Sequence, residues 1–476
     1  MGPRGEVYFG QPDASRVTDA SYLDRLHITQ KVESGLKYGT RSEGRHTVVG
    51  IKGSGKTDLR KHVQTSDMGA KFFLLSAHDN TLGLNAGGKT DGQTSGRIKN
   101  AISVILLRYF VQQLANEAPA TLKKTWNTVF ENSSKILHRL SDAATIDLKV
   151  AKIDLSVLLR GEANDVVQNV VTTLVKDVVA ALNATKTRGY ILIDDVEIVI
   201  PGIEQSPAFL EGLVWAITDI NDVGGDHLHA LAFVKHGLWR LWFEHPAEYD
   251  RLKQGLAFLS WDRQSLVDLI AKRIADKRGL DSDDTEALWK EEFDWKPDFA
   301  DFDSFASEVT SYCVNGPRDI IALCNSAAEA AGDASTAITI KHIRQALDSF
   351  SEEKLFGLEQ DYGTLYPGIA QFVVRVFDNT TSATMSAVEL AQAIEDRVLT
   401  DEVAQADISI GDSLKTWPRN RLALLMFQIG VVGFSDGKKI TYAIDSPTVS
   451  QPRFMAQAKL VIHPAFRPHL GISAGP

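Results

Sequence analysis

Cysteine is scarce: Cys313 and Cys324 are the two in 476 residues. Two cysteines cannot build a disulfide framework, and their spacing matches no metal or redox motif. They read as buried free thiols of a reducing compartment, so the expected location is cytoplasmic. Long apolar runs are missing as well. The longest, Leu422 to Phe434, is interrupted by Gln428 and falls short of the roughly 18 residues that a membrane span takes. The opening MGPRGEVYFG has no apolar signal core, so no membrane partner is expected. Positive charge is in deficit, with 51 Lys and Arg against 61 Asp and Glu and a net charge of -10. This excludes a whole-chain basic footprint for nucleic acid and leaves a local patch open. Low-complexity sequence is absent too, since 44% hydrophobic and 24% charged residues are an ordinary globular composition. At roughly 100–200 residues per domain, the length predicts about three domains.

Five short apolar runs read as strands: His46–Val49, Lys71–Ser76, Tyr190–Asp194, Leu228–Val234 and, more weakly, Leu256–Leu259. Tyr190–Asp194 is strongly apolar, as expected for a strand buried on both faces. Residues 79–97 are rich in Gly, Asn and Thr and read as a loop. Residues 98–185 carry a helical pattern. After Trp261 the pattern is helical again, over Ser265–Lys277, Phe302–Tyr312, Arg318–Ala331 and Ile340–Phe350. Pro317 suits the first residue of its helix. Beyond 351, helices near 383–397 and 412–429 precede strands at Val431–Ala443 and Lys459–His463. The expected organisation is an arm over 1–45, an α/β core over 46–262 with a helical insertion at about 98–185, a helical unit over 263–350 and a last unit over 351–476.

The strongest motif is Gly50-Ile51-Lys52-Gly53-Ser54-Gly55-Lys56-Thr57, which fits G-x-x-x-x-G-K-[ST] at every constrained position. An apolar strand precedes it and a helical pattern beginning at Asp58 follows. Glycines let successive N–H groups curl around a polyphosphate. The helix behind them offers its positive end to the same anion. Gly50, Lys52, Gly53, Ser54, Gly55, Lys56, Thr57 and Asp58 are therefore candidate ATP-binding residues. Lys56 would bridge the β- and γ-phosphates and Thr57 would ligate Mg²⁺. The competing reading is a chance Gly-rich turn.

The second motif is Ile191-Leu192-Ile193-Asp194-Asp195-Val196-Glu197. An apolar strand ending in acids is costly unless the acids meet a cation or water. Asp194 is the candidate for the Mg²⁺ shell. Asp195 and Glu197 both stand as candidates for polarising the attacking water. The alternative is a turn with solvated acids. Because Lys56 and Asp194 are far apart in sequence, the helical stretch between them reads as an insertion. Lys235 and His236 end the fourth strand. If that strand lies between the two motif strands, they face the γ-phosphate; otherwise they are a solvated strand end. Arg318, in the first turn of its helix, is the candidate to read the nucleotide state, since its charge is permanent and its fork fits phosphate. Arg240, Arg251, Arg263 and Arg273 are candidates for an intermolecular arginine finger, with Arg251 favoured.

In this order, GIKGSGKT, ILIDDVE, LHALAFVK and NGPRDIIALC resemble the motifs of an AAA+-type P-loop ATPase. More narrowly, they resemble the origin-recognition and STAND branches, in which a helical lid and a winged helix follow the core. A bacterial group of P-loop ATPases shares Tyr8-Phe9-Gly10, the Gly50–Thr57 loop, Gly316–Arg318 and the terminal Ile462–Phe466. The resemblance covers most of the chain apart from 98–185. It implies an α/β P-loop NTPase (AAA+-like) fold with a parallel sheet, a helical lid and a C-terminal winged-helix domain. It further implies ATP and Mg²⁺ binding, hydrolysis and a place among phage-defence systems. The chain departs from the AAA+ pattern at Asp195, where Glu is usual, and at Lys235, where a small polar residue is usual.

In a winged helix, Lys415, Arg419 and Arg421, with Lys438, Lys439, Arg453 and Lys459, could meet DNA phosphates; otherwise the unit docks on protein. Trp417 and Phe427 read as core. Three readings stay open: an oligomeric ATPase switch with an effector protein partner, an initiator-like ATPase on double-stranded DNA, and a nucleotide-binding scaffold without turnover. The chain carries no nuclease, protease or TIR-type effector motif.

Overall fold

The computed structural model describes residues 8–17, 25–29, 33, 36, 44–67, 69–76, 95–117, 123–129, 131, 164–199, 207–243, 253–314, 316–333, 337–437, 439–443, 446 and 449–472. They group into two compact units. The sheet unit draws on Thr18–Ile51 and Lys56–Leu259; the helical unit draws on Met1–Val17, Lys52–Gly55 and Ser260–Pro476.

The sheet unit runs β1 (Thr47–Gly50), α1 (Lys56–Ser66), β2 (Lys71–Leu75), α2 (Ser95–Glu117), α3 (Asn164–Thr185), β3 (Gly189–Ile193), α4 (Pro207–Gly224), β4 (Leu228–Lys235), α5 (His236–Phe243) and β5 (Leu256–Phe258). The strands are parallel in the order β2-β3-β4-β1-β5. Parallel strands need both faces covered, which is why they are nearly continuous apolar runs. Ile191, Ile193, Ala230 and Ala232 point into one cluster with residues of α2, α3 and α4. Tyr190, Leu192, Leu231 and Phe233 point into the other, with Leu59 and Val63 of α1. The helical stretch expected as an insertion thus contributes two helices to the sheet's own core: Ile102 and Leu106 of α2 and Leu174 and Val178 of α3 are fully buried there. The Gly-rich loop expected at 79–97 lies outside the described residues up to 94.

The helical unit contains α6 (Arg263–Arg278), a short helix Thr285–Lys290, α7 (Phe302–Ser311), α8 (Pro317–Ala331) and α9 (Ile340–Tyr362). Caps set their ends. Asp262 accepts from the Ser265 N–H at the start of α6, and Gly279, left-handed at φ 64°, closes it. Pro317 starts α8 after Gly316 at φ 89°, where a Cβ would meet the Trp261 ring at 3.0 Å. The interior is aromatic, with Trp289 4.6 Å from Phe293 and Trp295 5.0 Å from Phe302. Helix α9 continues across the boundary expected at 350–351. Its apolar face simply goes on through Leu347, Phe350, Leu355 and Leu358, and the Ser351 hydroxyl between them accepts from the His469 N–H at 3.1 Å.

Beyond α9 come α10 (Ile369–Phe377), β6 (Thr384–Met385), α11 (Ala387–Ile394), α12 (Arg419–Gln428), β7 (Val432–Ser435), β8 (Ile440–Thr441) and β9 (Leu460–Ile462). The strands form an antiparallel sheet in the order β6-β9-β7-β8. These three longer helices, with short helices at Glu402–Ala406, Asp412–Thr416 and Gln451–Met455 and the antiparallel sheet, make a winged-helix-like arrangement. The helix expected at 412–429 is split, because Pro418 has no N–H and holds Trp417 extended at ψ 148°. With the five parallel strands and the phosphate-loop sequence after β1, the fold is that of an AAA+-like P-loop NTPase with helical and winged-helix parts. Among the described residues no helix is long and apolar enough to cross a membrane.

The terminal Ile462–Phe466 segment is held by its histidine. His463 is buried, its Nδ1 accepts from the Ala465 N–H at 3.2 Å, and it also bonds the backbone of Cys313. Burial, with Arg467 and Lys354 nearby, pushes it from 6.5 down to about 3. The unfolded chain therefore takes up a proton near pH 6.5 that the folded chain refuses until about pH 3. Stability falls as the pH drops through that window, by about 1.4 kcal/mol per pH unit from this group. His463→Asn keeps an acceptor for Ala465. Its denaturation midpoint, measured at pH 5 and pH 7, is expected to change less than the wild type's; an unchanged difference would rule His463 out as the source.

Candidate phosphate-binding site

The tip of the loop, Lys52–Gly55, belongs to the helical unit. Gly53 sits at φ 81° and its carbonyl accepts from the Arg318 N–H at 3.3 Å. A Cβ on Gly53 would meet the Arg318 Cβ at 3.0 Å, so glycine there allows the arginine to lie against the loop. Trp261 Nε1 donates to the Ser54 carbonyl at 2.8 Å, and the Trp261 ring and Pro317 flank Gly55. Lys52 pairs with Asp361 at 3.1 Å and with Gln360 Oε1 at 3.1 Å, both at the end of α9. Ser54 Oγ is buried and has no hydrogen-bond partner among the described residues. Arg318 Nη2 lies 3.2 Å from Asp13, a carboxylate outside every sequence motif described above.

In the sheet unit, the start of α1 meets the end of β3. Thr57 Oγ1 donates to Asp194 Oδ2 at 3.1 Å, joining residues 137 positions apart. Lys56 Nζ donates to the Gly50 and Ile51 carbonyls, both at 2.8 Å. The Asp195 N–H donates to Asp194 Oδ1 at 3.1 Å, and Asp195 itself is left-handed at φ 50°, where the chain turns off the strand into Val196–Val199. Glu197, on that turn, forms an ion pair with Lys235. Strand β4 lies between β1 and β3, and Lys235 is the register partner of Gly50. Glu197 and Lys235 thus stand beside the first loop residue. Asp58 Oδ2 meets His27 Nδ1 at 2.9 Å. Burial alone would lower His27, but hydrogen bonds to Asp58 and Glu33 outweigh it and raise His27 to about 9.

Sequence reasoning missed Arg60. Its Nε donates to Asp194 Oδ2 at 3.2 Å and its Nη1 to Gln64 at 2.9 Å; both Arg60 and Asp194 are buried. Its position one helical turn beyond Lys56 was the available signal.

The other cations prove to be engaged locally. Arg273 is buried and donates to the Phe9 carbonyl at 2.8 Å, which removes it from the finger candidates. Arg263 pairs with Asp303. Arg251 and the side chain of Arg240 lie outside the described residues, as do Asn315 and Lys438. In the winged-helix part, Lys415 donates to the Gln405 carbonyl at 3.1 Å and the Asp407 carbonyl at 2.5 Å, and Arg419 Nη1 to Gln392 at 3.2 Å. Arg421 stacks 3.5 Å over the Trp417 ring. Lys415, before the Pro418 split, and Arg419 and Arg421, at the start of α12, are thus tied into the fold.

Residues 264–359 match the family of FunZ-associated C-terminal helical domains. No curated protein matches the chain. Among solved structures, Cdc6p from Pyrobaculum aerophilum is similar at 12% identity and TM-score 0.31, over 93% of this chain and 97% of that one. ORC2 of Aeropyrum pernix, described in ADPNP and ADP complexes, is similar at 13% identity and TM-score 0.35, over 95% and 96%. PCH-2 of C. elegans is similar at 10% identity and TM-score 0.26, over 69% and 64%.

Proposed function

We propose that the chain binds ATP with Mg²⁺ and hydrolyses it as a nucleotide-controlled oligomeric switch. The observation that carries the reading is the hydrogen bond of Thr57 to Asp194 at 3.1 Å. A hydroxyl and a carboxylate that meet at the base of a phosphate loop suit an Mg²⁺ ion. The buried Ser54 hydroxyl without a partner suits a phosphate oxygen. Thr57 and Asp194 would hold the ion, which when bound would supply neutralisation of the phosphate charge.

The chain's own residues do the rest. Lys56, released from the Gly50 and Ile51 carbonyls, donates to the phosphates in place of that local bond. Glu197 is our choice of base over Asp195, because its ion pair with Lys235 holds it beside Gly50. It takes the proton of the attacking water as the water's oxygen bonds to phosphorus, while ADP leaves. Lys235 exchanges its carboxylate partner for a phosphate oxygen. Arg318, against Gly53, meets a phosphate at the loop tip and gives up Asp13. No covalent enzyme intermediate forms, since phosphoryl transfer to water needs positioning and charge stabilisation alone.

Lys56→Ala is expected to weaken ATP binding about 10- to 100-fold, the worth of one charge-assisted hydrogen bond. Isothermal titration with ATP and Mg²⁺ reads this directly, and wild type that binds no ATP would remove the proposal. The switch reading expects nucleotide-dependent mass in solution without DNA stimulation of turnover. Salt-sensitive DNA binding would favour an initiator-like ATPase instead, and binding without turnover would favour a scaffold. A role in phage defence is supported by the family resemblance alone.

A further inference from the structure

We propose that His27, His62 and Glu33 form a zinc-binding site, oriented by Asp58, on the helix that follows the phosphate loop. One ligand atom from each of the three lies within 4.8 Å of the others. His27 Nε2 is 3.0 Å from Glu33 Oε1, and His62 Nε2 is 3.8 Å from Glu33 Oε2. Metal–ligand bonds of about 2.0–2.1 Å in a tetrahedron put neighbouring ligand atoms about 3.3 Å apart, so these separations need only small adjustments. The imidazoles are stacked at 4.0 Å with an interplanar angle of 5°, which brings both Nε2 atoms to the same carboxylate.

The fourth residue carries the argument furthest. Asp58 Oδ2 meets the other nitrogen of His27, Nδ1, at 2.9 Å. A carboxylate behind a ligating histidine fixes its tautomer and ring orientation and raises its basicity, the usual support of a metal-bound imidazole. Asp58 and His62 are i and i+4 on α1, so one face of one helix supplies both a ligand and a support. Two imidazoles and a carboxylate suit zinc better than Mg²⁺, which prefers oxygen ligands. Three protein ligands leave a fourth position for water. Bound zinc would tie His27 and Glu33, from the chain before β1, to α1.

The test uses the full chain without a histidine tag, stripped with a chelator and titrated with Zn²⁺ alone against a chromophoric competitor, with no nucleotide present. Wild type is expected to hold one zinc per chain, His62→Ala to hold none, and Asp58→Asn to bind about 10- to 100-fold more weakly. X-ray absorption of the zinc-loaded wild type is expected to show two imidazoles in the coordination shell. Wild type that loses its zinc to the competitor, or a spectrum without imidazole, overturns the site and leaves a buried ion cluster around His27. Folded His62→Ala that keeps its zinc overturns it too. If circular dichroism shows His62→Ala to be unfolded, the wild-type spectrum decides.

Discussion

Glu197→Gln is expected to bind ATP as wild type does and to hydrolyse it about 10²- to 10⁴-fold more slowly, the usual worth of a positioned general base. The substitution keeps size and polarity and removes the proton acceptor. It also removes one half of the ion pair with Lys235, which then has a phosphate as its anionic partner. Asp195→Asn is expected to cost much less, because the residue's left-handed backbone and its N–H bond to Asp194 persist with asparagine. Single-turnover hydrolysis by the two variants separates the roles. If Asp195→Asn abolished turnover while Glu197→Gln retained it, the base would be Asp195 and the Lys235 pair would be structural.

Arg60→Ala is expected to destabilise the sheet unit by about 3–5 kcal/mol. The loss is large because the substitution leaves the Asp194 carboxylate, 3% exposed, without its buried cation. Thr57 alone would then bond Asp194 Oδ2. Denaturant unfolding of Arg60→Ala and of the double variant Arg60→Ala/Asp194→Asn makes the check. The double variant is expected to recover part of the loss, since it no longer buries an uncompensated charge. Equal losses in both would show that Arg60 acts through packing of its aliphatic stem instead.

Much of this was legible in local sequence. The phosphate loop, the acids at the end of β3 and the apolar strands follow from patterns a few residues long, and so does Pro317 at the start of α8. The place of β4 was left open by the sequence, and the sheet order sets it between the two motif strands. What escaped reading is what long separations decide. Arg60 reaches a partner 134 positions away, and Asp13 reaches Arg318 from the far end of the chain. His27 and Glu33 sit in a polar stretch without periodicity, although Asp58 and His62 at i and i+4 were a clue. The split at Pro418 was readable from the proline, yet the apolar pattern around it overrode the signal. Lys415, Arg419 and Arg421 look like free cations in sequence; only the fold supplies the carbonyls, Gln392 and the Trp417 ring that engage them.

The Tyr8-Phe9-Gly10 segment is built into the helical unit at several points. The Phe9 N–H donates to Asn325 Oδ1 at 2.7 Å, Asn325 Nδ2 donates to the Gly10 carbonyl at 3.1 Å, and the Tyr8 hydroxyl donates to Glu292 at 2.7 Å. Phe9 stacks on Phe293 at 5.6 Å. Phe9 precedes Asn325 by 316 residues, so on a ribosome elongating at about 5–20 residues per second it waits about 15–60 s for its partner to be made. Throughout that interval Phe9 lacks the Asn325 amide that fixes its backbone in the helical unit. Docking of this segment therefore comes only after α8 has been made, and a chaperone that shields Tyr8 and Phe9 until then would raise the yield of the helical unit.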